Sequence, residues 1–345
     1  MSGDSLLHYY RILDGDEQAE YLKAKDVAVD IDLESETKNL LRAHDSAMSA
    51  TISSQVKDHN PSLLDVKAEL AKRMLDQCEL CERRCKANRS AGMKGYCGVL
   101  EPRISSDFLH LGEEPDLVPS YTIFFSGCTF NCVFCQNWDI STRPGSGVEM
   151  SPESVARKIE SRFKADRGML GLSRARNVNW VGGEPTSNLP FILEVLKKCT
   201  ANLPQVWNSN MYLTEESMRL LDGVIDVYLT DFKYGNDACA LRLSNAPDHM
   251  RIVKRNHVLA RDQAEVIIRH LVLPGHIECC TRPVLNWISE NLRCVKVNVM
   301  AQYRPEHRAR EFPEIARPLR MSEFKKALEI AYSLGLELDS SSRTS

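Results

Sequence analysis

Tyr121-Thr-Ile-Phe-Phe-Ser-Gly127-Cys128-Thr-Phe-Asn-Cys132-Val-Phe-Cys135-Gln-Asn137 is a short apolar run that empties into a loop of three cysteines spaced C-x3-C-x2-C. Apolar runs of this length suit parallel strands that are buried on both faces. Thiolates suit iron and zinc, and a compact loop turns all three towards one face of a metal centre. A [4Fe-4S] cluster bound by three thiolates keeps one iron open to an outside ligand. An open coordination position marks a catalytic rather than a structural centre. A structural zinc, or an electron-transfer cluster completed by a distant cysteine, also fits the spacing.

The pattern continues outward from this loop. Strand-like runs at residues 121–125, 177–181, 205–208, 224–230, 265–273 and 295–300 alternate with helical stretches at 151–166, 190–198, 215–221, 249–260, 282–291 and 322–334. Six strand–helix units in series predict a parallel sheet with helices outside it. Six are too few to close an eight-unit barrel. The expected fold class is therefore α/β, an open partial (βα)6 TIM-type barrel with an N-terminal helical and Cys-rich extension. Sites in such folds lie at the carboxyl ends of the strands.

Four segments are expected: an acidic, mainly helical extension at 1–77, a Cys-rich metal or cluster segment at 78–100, the barrel at 101–338, and a frayed tail at 339–345. Residues 1–59 are polar and weakly patterned, read as loosely packed helices or partly disordered chain. Asn60-Pro61 supplies a cap residue and a favoured first helical position. Leu63, Val66, Leu70 and Met74 then recur at helical spacing to about residue 76.

Composition is ordinary for a globular chain of 345 residues, with 43% hydrophobic and 26% charged residues and a formal net charge of −3. That balance argues against a nucleic-acid binder, which is usually basic. Residues 1–76 carry 15 acidic and 9 basic side chains, so the acidity is concentrated there. No apolar run approaches a membrane span and no signal peptide is legible, so the expected location is cytoplasmic. Disulfides are rare there, and 7 of the 12 cysteines fall between Cys78 and Cys135. Such crowding reads as metal or cluster binding.

Cys78-x2-Cys81-x3-Cys85-x11-Cys97 is a second set. Four thiolates saturate either a zinc ion or a four-iron cluster, and Arg83, Arg84, Lys86, Arg89 and Lys94 offset their charge. The other five cysteines, Cys199, Cys239, Cys279, Cys280 and Cys294, show no cluster spacing. Cys199 reads as packing. The Cys279-Cys280 pair stands out because it follows the fifth strand-like run.

The loop at 126–137 resembles the signature of the radical S-adenosylmethionine (SAM) superfamily, and the resemblance spans roughly residues 100–310. It is closest to the activases of glycyl-radical enzymes, of the pyruvate formate-lyase activating type, and within them to an activase-related branch. The matching segments are His110-Leu-Gly-Glu-Glu-Pro115, Phe124-Phe-Ser-Gly-Cys128, Phe134-Cys-Gln-Asn137 and Asp226-Val-Tyr-Leu-Thr-Asp-Phe-Lys233. The resemblance implies a [4Fe-4S] cluster on Cys128, Cys132 and Cys135 that cleaves SAM to a 5′-deoxyadenosyl radical for hydrogen abstraction, with a glycyl-radical enzyme as the target. Radical modification of a peptide, RNA or small molecule is the alternative, and a non-catalytic iron–sulfur protein is the reading from another class. An electron donor such as flavodoxin or ferredoxin is implied as a partner.

The resemblance also assigns the SAM contacts. Phe134 sits between the second and third cysteines. Gly182-Gly183-Glu184-Pro185 meets the methionine amino group, the glycines allowing close backbone approach. Asn208 and Ser209 stand where the activases carry a more acidic Asp-Thr-Asn-Gly segment serving a cation, so one charge is missing. Asp231 and Lys233 serve the SAM carboxylate. Leu273 and Gly275 belong to an adenine-packing loop, with His276 read as an exposed loop histidine. Gln302, or Tyr303, takes the place of a histidine that touches the carboxylate.

Overall fold

The computed structural model describes residues 5–49, 61–165 and 174–343. At its centre is a seven-stranded sheet whose strands lie in chain order. β1 (Ile104–His110) pairs antiparallel with β2 (Ser120–Phe125). The parallel strands β3 (Asn177–Gly182), β4 (Gln205–Ser209), β5 (Val227–Asp231), β6 (Glu265–Leu271) and β7 (Lys296–Met300) follow, each beside the last. β1 and β7 end the strand order and do not pair with each other, so the barrel is open. Four helices precede the sheet: α1 (Leu7–Asp14), α2 (Glu20–Asp26), α3 (Thr37–Ser49) and α4 (Leu63–Arg73). After β2 come α5 (Trp138–Ser141) and α6 (Pro152–Lys164), after β3 α7 (Leu189–Lys198), and after β4 α8 (Glu215–Leu221). α9 (Asp237–Ser244) and α10 (His249–Gln263) follow β5, α11 (Arg282–Asn291) follows β6, and α12 (Met321–Ser333) follows β7. Among the described residues no helix is long and apolar enough to cross a membrane.

Two elements go beyond the periodic pattern. β1 is a half-exposed edge with polar Ser105, Ser106 and Asp107, so it lacks the apolar run that marks a strand buried on both faces. α9 is a short helix that ends where Asn245 turns left-handed at φ 49°. Together with α10 it replaces the single helix expected between β5 and β6.

Residues two apart on a strand share a face, and this layers the barrel interior. Val206, Val227, Leu229 and Ile267 form an apolar floor with Leu6, Tyr9 and Leu117. The next inward positions, Asn208, Asp231 and Arg269, are polar and line a cavity at the carboxyl ends. α1 thus closes one end of the sheet, leaving the other for a site.

Within residues 5–49 the N-terminal helices are packed rather than loose, with Tyr9 and Tyr21 fully buried, and the rest of 1–59 lies outside the described residues. Their anchors are polar and distant, which hides them from periodicity. The Glu265 carboxylate accepts from the backbone N–H of His8 at 2.7 Å and of Tyr9 at 2.9 Å. The His8 ring lies 2.6 Å from Glu17, 3.2 Å from Glu20 and 3.3 Å from Asp226. Hydrogen bonds to Asp226 and Glu20, opposed by burial, raise the His8 pKa to about 10. Its unfolded value is near 6.5. The folded state thus binds the extra proton between these values, and the stability it contributes is full below pH 6.5 and lost on rising towards 10. His8→Gln is expected to lower the urea midpoint most near pH 6, with the gap to the unmodified protein closing by pH 10. A gap constant over that range contradicts the charge assignment.

Asn60 lies outside the described residues, and the observed cap of α4 is Ser62. Its hydroxyl accepts from Asp65 N while the Asp65 carboxylate accepts from Ser62 N, a reciprocal capping box. The serine-rich C-terminus is docked rather than frayed as far as Arg343. Asp339 N donates to Val297 O at 2.9 Å, and the buried Ser342 hydroxyl accepts from Val299 N at 2.9 Å. Hydrogen bonding to the open edge of β7 explains a segment that has no apolar pattern. Thr344 and Ser345 lie outside the described residues.

Candidate functional site

The cavity at the carboxyl ends of the strands has a volume of about 380 Å³. Cys128, Cys132 and Cys135 line it, together with Phe134, Gly182, Gly183, Glu184, Asn208, Asp231, Lys233 and Gln302. Each thiol has a polar neighbour. Phe130 N donates to Cys128 Sγ at 3.3 Å and Ser244 Oγ to Cys132 Sγ at 2.9 Å, and Ser141 Oγ lies 3.4 Å from Cys135 Sγ. Donors aimed at sulfur favour thiolate and tune a bound metal. Burial, with the neighbouring thiols, pushes Cys128 well above its ordinary pKa, and burial pushes Cys132 up to about 11. Buried thiols of this kind would become ligands by releasing their protons to solvent as a metal displaces them.

The glycines at 182 and 183 have a reason other than ligand approach. A Cβ on Gly182, at φ +133°, would lie 2.1 Å from Phe125 O, and one on Gly183 would lie 2.1 Å from Gly127 O. They let the loop after β3 press on the loop that carries the cysteines.

Glu184 is almost wholly buried. Its Oε1 accepts from Thr186 N at 3.3 Å, Thr186 Oγ1 at 2.6 Å and Ser209 Oγ at 2.7 Å, while Oε2 accepts only from Asn210 N at 3.0 Å. A carboxylate offers about four acceptor positions, two on each oxygen, so Oε2 retains capacity for one more donor. Ser209 therefore supports Glu184 and does not line the cavity. Lys233 Nζ pairs with Asp231 Oδ2 at 2.5 Å. Burial opposes the lysine charge, but Asp231 and Cys132 outweigh it and raise the pKa.

Four other expected positions lie off the cavity. Pro185 opens a buried turn behind Glu184. Leu273 is buried in a cluster with Phe130, Phe134 and Tyr303, behind the wall, and Gly275 is exposed. The strand-six contribution comes instead from Arg269 and Leu271, because β6 ends at Leu271 and the chain then turns away. Tyr303 donates to Ile315 O at 2.6 Å, and it is the Gln302 backbone carbonyl that is engaged, by Gln136 Nε2 at 2.9 Å. His276 is buried rather than exposed, its Nδ1 lying 2.7 Å from Pro274 O.

Reading the sequence for strand ends missed a buried charge group in the cavity wall. Arg269 Nε lies 2.7 Å from Glu114 Oε1, and Arg269 also pairs with Glu113. Asn298 Nδ2 donates to Glu114 at 2.8 Å. Asn210, whose Nδ2 lies 3.9 Å from Cys128 Sγ, follows Asn208 and Ser209 at the end of the third strand-like run but was given no role of its own. A lone arginine in the apolar run Val266-Ile-Ile-Arg269, and the adjacent Glu113-Glu114, were the available signals.

The upstream cysteines gather beside this site. Cys81 is influenced electrostatically by Cys97, Cys78 and Cys85. Their segment is tied to the loop after β4 through Glu82 N to Tyr212 O, 3.0 Å. It also meets the radical-type loop: Arg83 Nε donates to Thr129 O at 2.8 Å, and a Cβ on Gly127 would lie 3.1 Å from Cys97 O.

An open α/β sheet with three thiols facing a cavity at its carboxyl end defines a class of metal-dependent protein. Residues 122–288 match the Radical SAM superfamily. An uncharacterised protein of Methanocaldococcus jannaschii is 51% identical over 284 residues, 81% of each chain. The pyruvate formate-lyase-activating enzyme of Staphylococcus epidermidis is 24% identical over 170 residues, 45% of this chain and 62% of that one. Among solved structures, Streptococcus suis SuiB bound to precursor peptide SuiA gives a TM-score of 0.48 at 11% identity, covering 87% of this chain and 60% of that one. Methylornithine synthase PylB gives 0.45 at 13%, covering 96% and 77%. The chain belongs to the radical SAM superfamily. Membership implies a [4Fe-4S] cluster, SAM and a source of electrons, and the three thiols with their sulfur-directed donors fit such a cluster.

Proposed function

We propose that this protein is a radical SAM enzyme that holds a [4Fe-4S] cluster on Cys128, Cys132 and Cys135 and reductively cleaves SAM. The observation that carries the reading is the convergence of these three thiols on one cavity with Glu184 and the Asp231–Lys233 pair. When bound, the reduced cluster would supply the single electron that splits the SAM sulfonium into methionine and a 5′-deoxyadenosyl radical. Glu184 Oε2 accepts from the SAM ammonium. Lys233 offers its ammonium to the SAM carboxylate, with Asp231 holding it in place. Phe134 and the floor above α1 keep water from the reacting end. Anaerobic incubation with SAM and dithionite is expected to yield 5′-deoxyadenosine, and its absence from fully iron-loaded protein overturns the reading.

Glu184→Gln keeps an acceptor for Thr186 and Ser209 but removes the charge. It is expected to leave iron content unchanged and to weaken SAM binding by about 1.5–3 kcal/mol, on the order of 10- to 150-fold. Calorimetry that returns the unmodified affinity removes Glu184 from the site.

Cys78, Cys81, Cys85 and Cys97 are read as the ligands of an auxiliary iron–sulfur cluster that relays electrons from a donor such as flavodoxin or ferredoxin. A zinc ion bound at about 2.3 Å spaces its thiolates about 3.8 Å apart. The radical site needs single electrons, which favours a relaying iron–sulfur cluster over a structural zinc at this set. The likeness to an activating enzyme extends the proposal to hydrogen abstraction from a glycine of a partner protein. Deuterium transfer into 5′-deoxyadenosine from a partner carrying deuterated glycine tests that step.

A further inference from the structure

We infer that Cys239, Cys279 and Cys280 form a third metal site, for a single thiophilic divalent ion of the zinc type. The three sulfurs lie within 4.8 Å of one another, with Cys279 Sγ and Cys280 Sγ 3.9 Å apart. That spacing is close to the roughly 3.8 Å of thiolates sharing one zinc. The site is assembled from two loops. Cys239 lies in the first turn of α9, after β5. Cys279 and Cys280 lie in a π-turn, Ile277–Thr281, that leads into α11, and π-turns are frequent at functional sites.

Asn236 joins the two loops. Its Oδ1 accepts from Cys239 N at 2.8 Å, capping α9, and its Nδ2 donates to Cys279 O at 2.8 Å. The same Nδ2 lies 3.3 Å from Cys239 Sγ and 3.9 Å from Cys280 Sγ, an amide donor held against thiolate positions. Gly235 makes this approach possible, since a Cβ there would lie 2.7 Å from Cys279 O. A disulfide within the adjacent pair is disfavoured. Neighbouring Cα atoms are about 3.8 Å apart, below the roughly 4.4 Å at which disulfides begin.

Cys280 is buried and Cys279 is exposed, so the fourth position faces solvent and takes a water. The thiols lose their protons to solvent as the ion binds. The ion then clamps the loop that carries Lys233 to the turn after β6. The site does not depend on the SAM reading, and its test leaves iron as a separate readout.

The protein is isolated anaerobically with its iron in place, alongside C239S/C279S/C280S. Zinc is expected to fall by one equivalent per chain with iron unchanged. Titration with Co²⁺ is expected to give thiolate-to-cobalt charge-transfer absorption that the triple variant lacks. Should the triple variant lose iron through misfolding, Cys279→Ser, at an exposed position, decides: its cobalt affinity is expected to drop by about tenfold or more. Equal zinc in both proteins with no cobalt band, unchanged affinity in Cys279→Ser, or a disulfide from Cys239 to Cys279 or Cys280 in fresh protein each overturns the site.

Discussion

Replacing Cys128, Cys132 and Cys135 together by Ala is expected to remove about four irons per chain and to abolish 5′-deoxyadenosine formation. The effect is large because the cluster would lose all three of its thiolate ligands, and the nearby charged groups are already engaged. Glu184 is engaged by Thr186, Ser209 and Asn210, and Lys233 carries the wrong charge. The same variant reads the upstream set. If Cys78, Cys81, Cys85 and Cys97 hold an auxiliary cluster, about four irons per chain remain, and they bind no SAM because four thiolates leave no open iron. Iron near zero discards that cluster, and 5′-deoxyadenosine at the unmodified rate discards the assignment of the radical site.

Arg269→Met is expected to give the largest loss of stability. Arg269, Glu113 and Glu114 are mostly buried, with side-chain exposures of 14%, 6% and 1%. Burial by itself raises the Glu113 pKa, but the Arg269 guanidinium and His110 outweigh it and hold the carboxyl down at about 2. Methionine keeps the volume and removes the guanidinium, leaving Glu113 to the His110 ring and Glu114 to the Asn298 amide as partners. Breaking a buried pair in this way typically costs about 3–5 kcal/mol. Because the folded pKa of Glu113 is depressed, the stability it contributes is full above the unfolded value near 4.3 and is lost as pH falls towards 2. The deficit of the variant in chemical denaturation is therefore expected to be widest at neutral pH and to narrow below pH 4.3. A loss under about 1 kcal/mol at pH 7 would show that the carboxylates have other compensation.

The cysteine spacing and the alternation of apolar runs with amphipathic stretches were legible along the chain, because both are local patterns. A run such as Tyr121–Phe125 has no polar face to present to water, so it belongs in a covered parallel sheet. Three cysteines within eight residues also have little freedom to face apart. Position along the chain likewise pointed to Glu184, Asp231 and Lys233, which line the cavity at the strand ends.

What remained hidden depends on residues far apart in sequence. Glu265 and Asp226 hold α1 and α2 beneath the sheet through hydrogen bonds to the backbone of His8 and Glu20, which lie at the other end of the sequence. Arg269 reads as an intrusion into a strand until Glu113 and Glu114 are seen to meet it from the far edge. Cys239 shows no cluster spacing, because its companions lie some 40 residues on and reach it only through the packing of Gly235 and Asn236. Gly182 and Gly183 appear suited to a ligand, whereas the surfaces they accommodate are the backbone of Phe125 and Gly127. By itself the sequence determined the type of sheet and the chemistry of its loop. Only the tertiary structure decided which charges and thiols meet, because polar contacts over long separations leave no periodic trace in the chain.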